Sequence, residues 1–113
     1  MNINKKITFI IKTFNRSICL ENCLKHIRSL SLSIPIIIAD DSLDFIKLKN
    51  KKFVKSFPNC NYITLPFNSG LSKGRNIMVS KVKTPYIFLL DDDNYITELE
   101  STKKIIQFLD DFS

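Results

Sequence analysis

Apolar residues along this chain follow two alternating patterns. Ile7 to Phe14 is a run of strand length (Ile7, Phe9, Ile10, Ile11), interrupted only near its end by Lys12 and Thr13. From Ser17 to Leu30, Leu20, Cys23, Leu24, Ile27 and Leu30 recur at helical spacing, which predicts an amphipathic helix opened by the polar residues Asn15, Arg16 and Ser17. A second apolar run, Pro35 to Ala39, ends in Asp40, Asp41 and Ser42. Asp44 to Phe57 mixes its faces and reads as a weaker helix, broken by Pro58 and Asn59. Tyr62 to Leu65 is a short third strand closed by Pro66, and Ile77 to Val82 is a helix ending before Pro85. Tyr86 to Leu90 is a fourth strand, apolar at nearly every position, so burial on both faces is expected. Glu98 to Phe112 closes the chain as a helix carrying Leu99, Ile105, Ile106, Phe108 and Leu109.

Strand and helix alternate four times, which predicts an α/β class with a parallel, Rossmann-like sheet and helices on both faces. With right-handed crossovers and the commonest winding, the strand order is 3-2-1-4. No internal repeat, low-complexity tract or linker interrupts the pattern, so residues 1–113 are expected to form a single domain.

Composition adds limits. The hydrophobic fraction of 44% and charged fraction of 25% are ordinary for a globular chain. No apolar stretch reaches the roughly 18–20 residues needed to span a bilayer, and no secretory signal pattern opens the sequence, so a cytoplasmic location is expected. Three cysteines, Cys19, Cys23 and Cys60, form no C-x-x-C pair and are expected reduced, with Cys23 in the core. The balance of 17 basic against 11 acidic residues gives a net charge of +6. Such a surface attracts anions and is compatible with peripheral contact at an anionic membrane. Its densest run, Lys47, Lys49, Lys51, Lys52 and Lys55, reads as a solvated helix face. The aromatic residues are mostly phenylalanines inside apolar segments, not interleaved with the basic residues as a stacking platform needs, which argues against nucleic acid as a partner.

The candidate chemistry sits at the strand ends. Thr13-Phe14-Asn15-Arg16, Asp40-Asp41-Ser42 and Asp91-Asp92-Asp93 all follow apolar runs, and in a parallel sheet they gather on one edge. Three consecutive carboxylates cannot stay unpaired in the core, so they are expected to emerge there, neutralised by a cation. Their hard oxygens suit Mg²⁺ or Mn²⁺ with substrate phosphates completing the shell. Arg16 and Arg75 are available for a phosphate. Both glycines of the chain, Gly70 and Gly74, fall within five residues, marking a place where backbone geometry or close approach matters. Neither a G-x-x-x-x-G-K-[ST] loop nor a G-x-G-x-x-G spacing occurs, and no serine sits in a G-x-S-x-G elbow. His26, beside Lys25 on a helix flank, reads as a surface residue.

Together these residues resemble the family-2 glycosyltransferases of the GT-A fold. The series Thr13-Phe14-Asn15-Arg16, Ile38-Ala39-Asp40-Asp41-Ser42, Asn68-x-Gly70 with Gly74-Arg75-Asn76, and Asp91-Asp92-Asp93 is similar in order and spacing. Within that family it looks closest to the β-1,4-N-acetylgalactosaminyltransferases of ganglioside-type synthesis. The resemblance covers about residues 7 to 100. It implies that Lys12, Thr13, Phe14, Asn15, Arg16 and Asp41 line a uridine pocket, with Asp41 accepting from the uracil N–H. It implies that Gly70 belongs to the nucleotide-binding motif and that Arg75 faces the nucleotide or orders the acidic loop. Asp91 and Asp93 would form an Asp-x-Asp metal pair, Asp93 favoured as the direct ligand of Mn²⁺ or Mg²⁺, with Asp92 or Asp91 near the ribose. The implied donor is a UDP-sugar, UDP-GalNAc or similar, and the implied reaction inverts the anomeric centre.

A GT-A domain of that family runs to roughly twice this length, its second half holding the acceptor floor and the general base. The expectation is therefore a donor-binding half without its acceptor half, whose catalysis needs further residues or a partner chain, with a remnant lacking transferase activity as the alternative. No base is positioned here, since Asp110 and Asp111 lie at the far end of the last helix. Surface left uncovered by a missing half favours self-association into a homo-oligomer. Two other readings compete: a phosphoacceptor receiver-like signalling domain and a non-enzymatic module binding anions through Lys47 to Lys55. The first needs a lone aspartate after the third strand, and this chain has none there.

Overall fold

A computed structural model of the chain describes residues 2–112. After a short 3-10 turn at Ile3–Lys5, the elements run β1 (Ile7–Thr13), α1 (Ser17–Leu30), β2 (Ile36–Asp40), α2 (Asp44–Val54), β3 (Cys60–Thr64), α3 (Leu71–Lys81), β4 (Tyr86–Asp91) and α4 (Glu100–Asp111). The four strands form one all-parallel sheet in the order β3-β2-β1-β4, as the alternating pattern predicted. β1 lies inside the sheet, and its residues Ile7 to Ile11 are buried on both faces. Near its end, Thr13 pairs with Asp40 on β2 and Lys12 with Asp91 on β4, so the three polar strand ends share one edge.

Side chains alternate between two unequal cores, because successive residues of a strand point to opposite faces. Ile7, Phe9, Ile11, Ile36 and Ile38 pack with Leu20, Cys23, Leu24 and Ile27 of α1, Val54 of α2 and Ile106 of α4. Phe9 and Phe88 meet edge to face here, with centroids 6.0 Å apart. Ile10, Ile37, Ala39 and Leu65 pack with Met78 of α3 on the opposite face. Three helices therefore cover one face and a single helix covers the other.

That asymmetry corrects the expectation for the fourth strand. β4 is an edge strand, and α3 packs over β1 and β2 rather than over it. Tyr86, Phe88 and Leu90 pack into the larger core, whereas Ile87 and Leu89 remain exposed. A continuous apolar run records what a strand is able to bury, not what this chain supplies to cover it.

The boundaries shift for local reasons. α3 begins six residues before Ile77, directly after Gly70, and so carries Gly74 in its interior. α1 has no side-chain cap: Ser17 Oγ instead donates to Asn50 Oδ1 at 2.6 Å, and the Asn15 side chain accepts from Leu43 N at 3.0 Å. The polar residues at this turn thus tie the ends of β1 and β2 together. Arg28, buried near the end of α1, donates to Pro58 O, Ser31 O and Asn59 O, closing the loop before β3. Lys47 is not a free member of its basic run: it donates to Leu65 O at 2.8 Å and pairs with Asp44. All three cysteines are free thiols and Cys23 is buried, as expected. No helix among the described residues is long and apolar enough to cross a membrane.

Candidate functional site

The carboxyl ends of β1, β2 and β4 open onto a cavity of about 460 Å³. Lys12, Thr13, Phe14, Arg16, Asp41, Gly70, Asp91, Asp92 and Asp93 line it, nine of the eleven residues proposed from sequence. Asn15 and Arg75 do not. Asn15 adopts a left-handed backbone (φ 54°), donates its N–H to Ser42 Oγ at 2.7 Å and braces the turn from behind. Arg75 reaches the site through Asp91, 3.8 Å away. Asn68 and Leu71 complete the lining. Asn68 belongs to the Asn68-x-Gly70 motif, but residue type alone does not assign it a place at the site. Its left-handed turn (φ 57°), with N–H donated to Asp41 O at 2.9 Å, brings the segment after β3 over the cavity.

Consecutive aspartates at the end of β2 go to opposite faces. Asp40 points into the larger core, fully buried, and accepts from Ser42 N (2.9 Å), Asn50 Nδ2 (2.7 Å) and Tyr62 OH (2.5 Å). Burial and this carboxylate together push the Tyr62 hydroxyl pKa up. Asp40 thus serves as a structural anchor that the sequence pattern did not single out. Asp41 turns toward the cavity, where it pairs with Lys12 and accepts from Gly70 N at 2.9 Å. Burial pushes its pKa up, but the Lys12 ammonium and the Gly70 N–H outweigh this and hold it below the usual carboxylate range.

The two glycines serve that pair separately. Gly70 has φ +98°, a left-handed conformation that lets its N–H face Asp41. Gly74 sits against the Lys12 stem, and an added Cβ would lie 2.5 Å from Cδ and 2.7 Å from Cε. Absence of a side chain at position 74 is what lets Lys12 pass under α3 to reach Asp41.

The triple aspartate divides in the same alternating way. The Asp91 and Asp93 side chains are 69% and 54% exposed on the cavity, whereas that of Asp92 is only 5% exposed. Only Asp91 and Asp93 emerge, which corrects the expectation for three consecutive carboxylates. Asp92 accepts from Thr13 Oγ1 at 2.8 Å and pairs with Arg16 at 3.2 Å. Burial raises its pKa beyond what Thr13 and Arg16 offset, and the neighbouring Asp93 and Asp91 add to the rise. Arg16 forks, its second nitrogen lying 3.3 Å from Asp93. Cys23, under the same corner, has its thiol pushed up to about 12 by burial and by the Asp92 and Asp93 charges. It is an inert core residue.

Among the described residues no three His, Cys, Asp or Glu side chains form a ready-made metal cage. Mg²⁺ and Mn²⁺ do not require one: one or two carboxylates commonly hold them, with phosphates and water completing the shell. Two exposed carboxylates on an open cavity, Asp91 and Asp93, are a donor set of that kind. His26 stacks on Tyr95 with centroids 4.4 Å apart, on α1 and away from the cavity lining. Asp110 pairs with Lys6 at 3.0 Å and accepts from Tyr86 OH, and neither aspartate at the end of α4 lines the cavity.

Comparison with known proteins places this geometry. The family model described as glycosyl transferase family 2 matches residues 8–112. A β-1,4 N-acetylgalactosaminyltransferase 1 of Mus musculus is 33% identical over 109 residues, which are 96% of this chain and 19% of that protein. S. aureus TarS in complex with UDP superposes with a TM-score of 0.75 at 23% identity, over 94% of this chain and 32% of that one. A mannosyltransferase of Pyrobaculum calidifontis, in complex with GDP-Man and Mn²⁺, gives 0.74 at 14% identity, over 92% and 32% of the two chains. At those identities the structural likeness concerns the fold. The chain spans about a fifth of the length of the curated relatives it matches.

Proposed function

The chain belongs to glycosyl transferase family 2, and from that premise we propose that it is the nucleotide-sugar donor-binding portion of an inverting glycosyltransferase, taking a UDP-sugar together with Mn²⁺ or Mg²⁺. The observation that carries this is the meeting of the Lys12–Asp41 pair, Gly70 and the Arg16–Asp92–Asp93 fork around one cavity. UDP in the TarS complex, and GDP-Man with Mn²⁺ in the mannosyltransferase, support a nucleotide diphosphate and a divalent ion as ligands for a fold of this kind. The name of the mouse relative supports N-acetylgalactosamine as the sugar.

In this reading the Asp41 carboxylate, held ionised by Lys12, accepts from the uracil N–H. Phe14, packed on Phe67 with centroids 5.6 Å apart, offers an apolar wall to the base. Asp92, fixed by Thr13, is the rigid element that sets the acidic turn, and Asp91 and Asp93 hold the divalent ion. That ion, when bound, supplies charge neutralisation for the departing diphosphate. Arg16 and Arg75 add positive charge on the same side. The acceptor surface and the base that deprotonates its hydroxyl are assigned to further residues or to a partner chain, because among the described residues the cavity lining offers no carboxylate beyond Asp41, Asp91, Asp92 and Asp93.

Calorimetric titration of UDP in the presence of Mn²⁺ tests the proposal. Saturable binding that EDTA and Asp93→Ala each abolish is expected. Binding unchanged by both treatments would refute it.

A further inference from the structure

Every cavity-facing carboxylate of the site already has a cation from its own chain. Asp41 has Lys12, Asp91 has Arg75, and Asp92 and Asp93 share Arg16. Four carboxylates against three cations leave a single net negative charge on the rim. A divalent ion arriving alone turns that into one net positive charge. It must also displace the arm of Arg16 that lies 3.3 Å from Asp93.

We infer that Arg16 is an exchange device that makes metal binding depend on the diphosphate; the inference rests on the donor-binding reading above. The two arms of its fork differ in strength. The arm on Asp92 meets a carboxylate only 5% exposed, whereas the arm on Asp93 meets one 54% exposed, in contact with solvent. Exposed pairs contribute little, so the Asp93 arm is the one that lets go. Asp92 stays oriented by Thr13 and by the remaining guanidinium nitrogen. Asp93 is thereby handed to the metal, and the released N–H donors face the cavity, where the diphosphate oxygens accept them. Without nucleotide nothing replaces the Asp93 arm, and Arg16 repels the ion. Metal and nucleotide therefore strengthen each other beyond what bridging alone gives, and the coupling is reciprocal. Arg16 acts here through the ligand carboxylate, as a positioning residue that gates metal occupancy.

The test measures Mn²⁺ binding by the electron paramagnetic resonance signal of the free ion, on the full chain, with and without UDP. Wild type, Arg16→Gln and Arg16→Lys are compared, each checked for folding by a cooperative thermal transition. Without nucleotide, Arg16→Gln is expected to bind Mn²⁺ about tenfold more tightly than wild type, within the span of typical coupling factors. The factor by which UDP tightens Mn²⁺ is expected to fall by a similar amount. Arg16→Lys, which keeps a charge for Asp92 but cannot fork, is expected to lie between the two and decides the matter if the glutamine variant does not fold. Mn²⁺ affinity unchanged or weakened in the variants, or no Mn²⁺ binding by any of the three, overturns the inference. The UDP arm separates the two proposals. Wild type that takes up UDP with Mn²⁺ while the variants gain no metal affinity refutes the exchange and leaves donor binding standing. Wild type that takes up no UDP refutes donor binding.

Discussion

Gly74→Ala is the substitution in which fold and site are most tightly joined. Gly74 lies inside α3, where alanine is favoured over glycine by roughly 1 kcal/mol. From helix propensity alone the variant should be more stable. The added methyl, however, would sit 2.5 Å from Lys12 Cδ and 2.7 Å from Cε. The Lys12 side chain has little freedom to yield, being only 9% exposed and held by a partner whose side chain is 2% exposed. Overpacking of this kind costs roughly 1–3 kcal/mol, and breaking a buried pair outright about 3–5 kcal/mol. Partial displacement of Lys12 from Asp41, less the propensity gain, gives a net loss of about 1–3 kcal/mol. For a domain of this size that is a melting point lower by roughly 5–15 °C. Urea and thermal unfolding followed by circular dichroism would read it. The control is the same substitution made on Lys12→Ala/Asp41→Asn, where the obstructing stem is gone and no carboxylate is stranded. There Gly74→Ala should stabilise by up to about 1 kcal/mol. A stabilising effect in the wild-type background, or an undiminished loss in the double variant, would refute the claim that glycine is required by the passage of Lys12.

Asp92→Asn should raise the melting temperature of the ligand-free protein at pH 7 while weakening UDP binding. Its carboxyl pKa is raised in the fold, so ionisation costs stability above that value, and the gain should disappear by about pH 3, below the ordinary carboxylate pKa near 4. Arg28→Met should destabilise by roughly 2–4 kcal/mol, because the Pro58, Ser31 and Asn59 carbonyls lose their shared donor; denaturant midpoints compared with wild type would show it. Leu89→Lys should change stability by less than about 0.5 kcal/mol, since Leu89 is 55% exposed. A loss of several kcal/mol in equilibrium unfolding would mean that face of β4 is covered after all.

The order of the sheet was legible because it follows from rules acting on one well-formed pattern: four apolar runs separated by helix-length segments, in a fold that forbids most alternative windings. Its convergence of Thr13, Asp40 and Asp91 on one edge followed from parallel topology alone. The number of helices on each face was not legible in the same way. Apolar residues of β4 look alike on paper, yet Phe88 packs into the larger core against Phe9 while Leu89 meets solvent. That depends on the position of α3 across the sheet, a tertiary choice that strand composition does not encode.

The rim shows why residue types predict a site better than they predict roles. Lys12 and Asp91 are register partners, and strand alternation then sends Asp91 to the α3 side and its successor to the covered side, where Thr13 and Arg16 receive it. The same parity separates Asp40 from Asp41, giving one a buried network with Asn50 and Tyr62 and the other the cavity. An acidic doublet or triplet at a strand end is thus a structural residue interleaved with functional ones, and their sequence order is set by which face is covered. The consequence is directional. Covering the α3 side of β4 as well would bury Asp91 and Asp93 while Asp92 stayed held by Thr13 and Arg16, so the acidic turn retains its two open carboxylates only while that side of β4 stays accessible to ligand.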